Sequence, residues 1–181
     1  RKIELELKLI AEIGLIGLPN AGKSTLLKSL TNANPKISNY PFTTLYPNLG
    51  ILKWDDAETI IADIPGLIKG ASKGQGLGFD FLRHVDRTKL LLHVIDCSSA
   101  SVSECWKNYE IICNEIHQSN IDNTNKKTIV VLNKIDIIKP SELKKIESKF
   151  KTKKVQTLAI SAASYLGLDP LKNKIRTFTT D

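Results

Sequence analysis

Methionine is missing from all 181 residues, and no stretch approaches the roughly 18 uninterrupted apolar residues that a membrane-spanning helix requires. The second absence excludes a helical membrane span. The first bears on the opening of the chain. Residue 1 falls inside an alternating run, Ile3, Leu5, Leu7 and Leu9 against Lys2, Glu4, Glu6 and Lys8, which reads as a strand without a beginning. The expectation is a piece of a longer protein, with 1–12 a terminal strand or linker from a preceding domain and 13–181 a single domain large enough to bury a core. Cysteine is scarce and odd in number. Cys97, Cys105 and Cys113 have neither the Cys-x-x-Cys spacing nor the neighbouring His of a zinc site, so free thiols in a reducing, cytoplasmic compartment are expected. Internal repeats are absent as well.

Acidic residues are thin at one end of the chain. The net charge of +7 splits into +8 for residues 126–181 and −1 for residues 1–125. Lys144, Lys145, Lys149, Lys151, Lys153 and Lys154 gather on one expected helix and its exit. Such a patch suits phosphate-rich partners such as RNA, and equally a solvated helix face with Glu142 and Glu147 as local partners. The sequence favours neither.

What is present begins with Gly17-Leu18-Pro19-Asn20-Ala21-Gly22-Lys23-Ser24, a match to G-x-x-x-x-G-K-[ST] between an apolar run (13–16) and a helix-like stretch (24–30). Backbone N–H groups turned inward at a helix N-terminus form an anion site, because unpaired amides and the helix dipole both favour phosphate oxygens. Gly17 and Gly22 let the backbone approach the phosphates, Lys23 reaches the β- and γ-phosphates, and the Ser24 hydroxyl supplies a Mg²⁺ position. A nucleoside triphosphate site is the reading.

Downstream, residues 32–48, punctuated by Pro35, Pro41 and Pro47, read as a long loop. Strands are expected at 50–54 and 59–62 around an Asp55-Asp56 turn, followed by a glycine-dense segment at 65–78 and a helix at 79–87. Continuous apolar runs at 90–95 and 129–132 mark strands covered on both faces, with a short strand at 158–160. Helices are expected at 102–117, at 141–150 with Ser141 as N-cap after Pro140, and at 171–178. The order gives an α/β fold, a mostly parallel six-stranded sheet with helices on both faces.

In such a sheet ligands sit outside the carboxyl ends of the strands, so the loop after each strand is where chemistry is sought. Asp63-Ile64-Pro65-Gly66 places a carboxylate where it can stand in the second shell of Mg²⁺, and Gly66 offers a bare N–H to the γ-phosphate. Asn133-Lys134-Ile135-Asp136 offers the Asp136 carboxylate to the N1–H and N2–H₂ edge of guanine, where adenine would present a lone pair. Lys134 lays its stem along the base, and Asn133 helps hold the loops together. A site built on such polar contacts rejects the wrong base by orders of magnitude. Ser161-Ala162-Ala163 brings small residues near the base, the Ala162 N–H facing guanine O6. Within Phe42-Thr43-Thr44 a threonine hydroxyl can complete Mg²⁺ coordination while its N–H meets the γ-phosphate, ordering the loop with triphosphate. His93 lies mid-strand and is expected in the core, His117 ends a helix where it offsets the dipole, and His84 is given no catalytic role.

These segments together resemble the GTPase domain of the Obg family of translation-associated GTPases. The residues that carry the likeness are Gly17 to Thr25, Asn39 to Leu45 with Pro47 to Gly50, Ala62 to Ala71, Gly76 to Gly78 with Phe81 to His84, and Leu91 to Asp96. The resemblance implies a Ras-like P-loop NTPase fold, GTP and GDP as ligands and Mg²⁺ dependence. It selects Thr44 over Thr43 as the metal ligand and adds Thr25 to the nucleotide loop. Lys23, Thr44 and Gly66 are then the residues that act on the transferred phosphate. It further implies association with the large ribosomal subunit and its rRNA during subunit assembly, and a link to guanosine tetraphosphate; a monomer is expected. Family members also carry a glycine-rich N-terminal domain, which is not among these residues.

One position departs from the Ras-like pattern. Leu67 stands where such enzymes place the glutamine that orients the attacking water, so slow turnover is expected, limited by water positioning and uncompensated charge. In related GTPases with a hydrophobic residue there, an asparagine at the place of Asn20 coordinates K⁺. Asn20 is therefore either a K⁺ ligand or a residue pinning its own loop. A slow GTP-hydrolysing switch is the leading function. The alternatives are a nucleotide-binding module with little turnover and an ATP-using P-loop kinase, the latter disfavoured by Asp136.

Overall fold

The computed structural model describes residues 11–31, 36–37, 48–63, 88–98, 101–118 and 127–179. The strands are β1 (Ile13–Ile16), β2 (Lys36–Ile37), β3 (Asn48–Lys53), β4 (Glu58–Asp63), β5 (Leu90–Asp96), β6 (Lys127–Asn133) and β7 (Thr157–Ala159). The helices are α1 (Lys23–Thr31), α2 (Val102–Gln118), α3 (Pro140–Thr152) and α4 (Leu168–Thr179). One sheet runs β2-β3-β4-β1-β5-β6-β7, parallel from β4 to β7 and antiparallel at β3 and β2.

Six strands match the expected sheet, and a seventh corrects it. Lys36–Ile37 pairs with Leu49 and Asn48 inside the stretch expected to be loop throughout. Two residues are too few for side-chain alternation to register, so only the backbone ladder reveals them. The expected helix at 79–87 lies outside the described residues, as do residues 1–10 of the alternating run.

Both faces of the sheet are covered, and β5 shows why its sequence is apolar without alternation. Leu90, Leu92 and Val94 pack with Leu26, Leu27 and Leu30 of α1 and Leu171 and Ile175 of α4. Leu91 turns the other way, onto Ile112 and Ile116 of α2, while Ile95 meets Cys105 of α2 and Ile146 and Phe150 of α3. Each such side chain contributes roughly 1.5–3 kcal/mol when fully buried. Cys97 and Cys105 are buried free thiols and Cys113 is a half-buried one. His93 is core, 1% exposed and stacked on Tyr109 with centroids 5.2 Å apart. His117 lies in the last turn of α2.

Element ends moved where backbone pairing outlasts the apolar pattern. β5 and β6 extend to Asp96 and Asn133, which are register partners although their side chains are polar. α3 begins at Pro140 with Lys139 as N-cap, correcting Ser141. Proline fits the first helical position because the amide it lacks has no partner there, which moves the cap one residue upstream.

Candidate functional site: a phosphate loop and its base-side corner

Five segments meet at the carboxyl edge of the sheet: the loop after β1, Asp63 ending β4, Asp96 ending β5, Asn133 to Asp136 at the end of β6, and Ser161 to Ala163 after β7. The loop after β1 depends on two glycines. Gly17 has φ +149° and a Cβ there would lie 2.3 Å from the Val94 carbonyl oxygen; Gly22 has φ +94° and its Cβ would lie 2.3 Å from Asn133 Nδ2. Only a residue without a side chain lets the loop pass this close to β5 and to the asparagine. Ala21 is buried, Leu18 half-buried, and Pro19 and Asn20 are exposed, Asn20 in the left-handed region with φ 63°. Thr25 is exposed on α1.

Lys23, the first residue of α1, folds back across this loop. Its Nζ donates to the Gly17 carbonyl at 3.0 Å and the Leu18 carbonyl at 3.1 Å. Burial lowers its pKa from the ordinary lysine value, and the charge of Asp63 partly offsets that. An ammonium held by two neutral carbonyls exchanges those contacts readily for phosphate oxygens, which are anionic and form stronger charge-assisted bonds. Ser24 donates its hydroxyl to Asp63 Oδ2. The second oxygen of that carboxylate, Oδ1, is buried and has no hydrogen-bond partner among the described residues, in a residue only 3% exposed. An unpaired buried carboxylate oxygen is costly unless a cation or its water completes it. The hydroxyl and carboxylate thus fit the oxygen ligation that a hard divalent ion prefers.

On the base side the organising residue is Asn133, 1% exposed. Its Nδ2 donates to the Ala21 carbonyl at 2.9 Å, and its Oδ1 accepts the Ala162 N–H at 3.0 Å. One amide therefore ties the phosphate loop to the loop after β7. The Ala162 N–H, expected to face guanine O6, is engaged by Asn133 in this structure because the two loops close on each other. Ser161 accepts from the Ser164 N–H at 3.2 Å and pairs through its backbone with Leu166; Ala163 is exposed.

Lys134 adopts a left-handed conformation, φ 65°, which turns the chain into the short 3₁₀ helix Ile135–Ile137. Its Nζ lies 2.6 Å from Asp96 Oδ2, and the Ser98 N–H donates to Asp96 Oδ1 at 2.8 Å. Burial works to raise the Asp96 pKa, but the hydrogen bonds from Lys134 and Ser98 and the Lys134 charge outweigh it and hold the carboxyl below its usual range. Asp136 is exposed and makes no hydrogen bond or ion pair with a described residue.

Asp96 is the site residue that sequence reasoning did not single out. Its signal was available: an acid ending a buried apolar strand, at the carboxyl edge of the sheet where chemistry is expected. Phe42, Thr43, Thr44, Ile64, Pro65, Gly66, Leu67 and His84 lie outside the described residues. His93 is far from acting as a base, since burial pushes its pKa down to about 3.

A mostly parallel sheet with a glycine-bounded phosphate loop after its central strand and an Asn-Lys-Ile-Asp corner two strands away defines a P-loop GTPase domain. The family model described as "50S ribosome-binding GTPase" matches residues 12–134, and the chain belongs to that family. It is 51% identical over 174 residues to the GTPase Obg of Aquifex aeolicus, covering 95% of this chain and 51% of that protein. Against the GTPase Obg of Finegoldia magna it is 49% identical over 171 residues, covering 94% of this chain and 41% of the relative. The chain thus spans about half the length, or less, of these relatives. Among solved structures, Era in complex with MgGDPNP and nucleotides 1506–1542 of 16S ribosomal RNA aligns with a TM-score of 0.67 at 29% identity, over 93% of this chain and 56% of that one.

Proposed function

We propose that this chain binds GTP with Mg²⁺, hydrolyses it slowly, and serves as the nucleotide-controlled switch of a cytoplasmic protein acting on the large ribosomal subunit. The observation that carries the reading is the Asn133 amide, which fixes the phosphate loop and the corner after β6 as one unit while Asp136 has no partner among the described residues.

Lys23 leaves the Gly17 and Leu18 carbonyls to hold the β- and γ-phosphate oxygens. Asp136 takes the N1–H and N2–H₂ edge, a pairing common to GDP, GTP and guanosine tetraphosphate, and the Asp96 ion pair holds the Lys134 stem against the base. Ser24 and Thr44 would hold Mg²⁺, with Asp63 in its second shell, and the ion would neutralise charge on the phosphates. The Gly66 N–H would meet the γ-phosphate, so Thr44 and Gly66 would both report its presence. Leu67 cannot hydrogen-bond to water, which makes turnover slow without a partner. Exposed and left-handed, Asn20 is open to K⁺, whose charge would substitute in part for an arginine finger.

Replacing Asp136→Asn tests the reading at its base contact. An amide mismatches the guanine edge but matches the 2-oxo group of xanthine, so affinity should pass from GDP to xanthosine diphosphate, each changing by at least about 100-fold. Unchanged GDP affinity would remove Asp136 from the site. Single-turnover phosphate release separates a slow switch from an inert nucleotide binder.

A further inference from the structure

A second concave surface lies at the opposite end of the same sheet. The groove encloses about 940 Å³, with α3 and α4 as walls and the first residues of β6 and β7 as floor. Its Thr128 is five residues upstream of Asn133, so groove and base corner are separated by about 16 Å along β6. Lys144 and Lys151 project from α3 on one stripe with Ser148, at the i, i+4, i+7 spacing that shares a helix face; Lys154 follows the helix and Lys174 stands on α4. Glu147 is the one acidic residue among those that line the groove.

The charge is not consumed by the fold. None of these four lysines forms an ion pair with a described residue, although the Lys174 Nζ lies 5.4 Å from the Phe178 ring. Lys149 and Lys153, from the same basic run, do not line the groove: their Nζ atoms lie 5.7 and 5.9 Å from the Trp106 ring. Lys127 adds a cation at the margin, its Nζ 4.8 Å from the ring of Phe178. Gathering like charges around one cavity works against folding, and an external polyanion would relieve that repulsion.

We propose that this groove binds RNA through its phosphate backbone. Four cations spread over three elements suit a run of phosphates better than a single small anion. Lysines present point charges that hold phosphate without the planar matching of arginine, so binding should tolerate any sequence. The half-buried Leu158 adds apolar surface to the floor between these charges, which a base or ribose can cover and an acidic peptide backbone does not need. The site goes beyond the nucleotide-switch reading and does not depend on it, because nucleotide and RNA occupy opposite ends of β6.

Fluorescence anisotropy of the 181-residue chain with GDP and a mixed-sequence single-stranded RNA of about 20 nucleotides, titrated between about 50 and 200 mM salt, tests it. Wild type should bind with a steep salt dependence. The variant K144E/K151E/K154E/K174E should lose at least about tenfold in affinity and about 3 in the slope of log K against log salt, from about 0.7 per phosphate contact. Its GDP affinity should stay unchanged, which also shows that it is folded. The same number of reversals at exposed positions elsewhere, K28E/K89E/K107E/K139E, should weaken binding much less. Should the fourfold variant not fold, K151Q/K174Q should still lower the affinity and the slope. No RNA binding by wild type, equal losses in groove and control variants, or a groove variant that keeps RNA but loses polyglutamate would each overturn the proposal.

Discussion

Removing the Asn133 amide should cost the site its geometry before it costs the protein its fold. Asn133→Ala deletes the donor to the Ala21 carbonyl and the acceptor of the Ala162 N–H. Both backbone groups sit in buried residues, with Ala21 and Ala162 each 2% exposed, so water reaches neither freely. Leaving a buried polar group unsatisfied costs about 1–3 kcal/mol, so the two together amount to about 2–6 kcal/mol. Loop relaxation recovers part of this by letting both groups find water, and the relaxed loops must then be reordered by nucleotide. About 2–4 kcal/mol should therefore appear as lost GDP affinity, a factor of roughly 30 to 1,000. Titration calorimetry with GDP measures the factor, and urea unfolding of the unliganded chain measures what remains in stability. Because Gly22 approaches Asn133 so closely, a small side chain at 133 also leaves a gap under the loop, which acts in the same direction. GDP binding within threefold of wild type, with unchanged unfolding, would show that the loops are held together by something else.

Gly22→Ala should abolish measurable nucleotide binding, since its Cβ would meet Asn133 Nδ2 at 2.3 Å with the backbone at φ +94°; calorimetry decides. Asp63→Asn should leave GDP affinity in EDTA within a few-fold and remove most of the gain given by Mg²⁺, read by titrating nucleotide with and without the metal. His93 has its pKa pushed down to about 3 by burial, against an ordinary value of 6.5. The unfolded chain therefore binds a proton that the folded chain refuses, and stability, complete above pH 6.5, should fall by about 1.4 kcal/mol per pH unit as pH drops towards 3. His93→Phe, which keeps a ring against Tyr109, should flatten that fall in urea unfolding series. If Asn20 holds K⁺, GTP hydrolysis should be faster in KCl than in NaCl, and Asn20→Ala should erase the difference; equal rates in the two salts would leave Asn20 a residue of its own loop.

Much of the architecture was legible because its causes are local. Runs such as 90–95 and 129–132 are apolar on both faces because helices cover both, and Gly17, Gly22 and Lys23 announce the phosphate loop through spacing alone. What the sequence hid depends on partners distant in the chain. The two-residue β2 exists through its ladder to β3, not through any pattern of its own. The two hydrogen bonds of Asn133 reach residues 112 and 29 positions away, so that the asparagine was legible as a loop holder but its two partners were not. Asp96 stood just past the apolar run 90–95, and only the fold brings Lys134 to it. The basic run read as one patch, whereas the helix divides it, Lys149 and Lys153 towards Trp106 and Lys144 and Lys151 towards the groove.

The central claim is that the corner after β6 selects guanine for a phosphate loop already tied to it. Calorimetric titration of the unmodified chain with GDP and with ADP, under identical salt and Mg²⁺, puts that to the test in one pair of experiments. GDP should bind at least about 1,000-fold more tightly than ADP, because adenine would leave the Asp136 carboxylate facing a lone pair. Equal affinities, or heat from ADP alone, would contradict it.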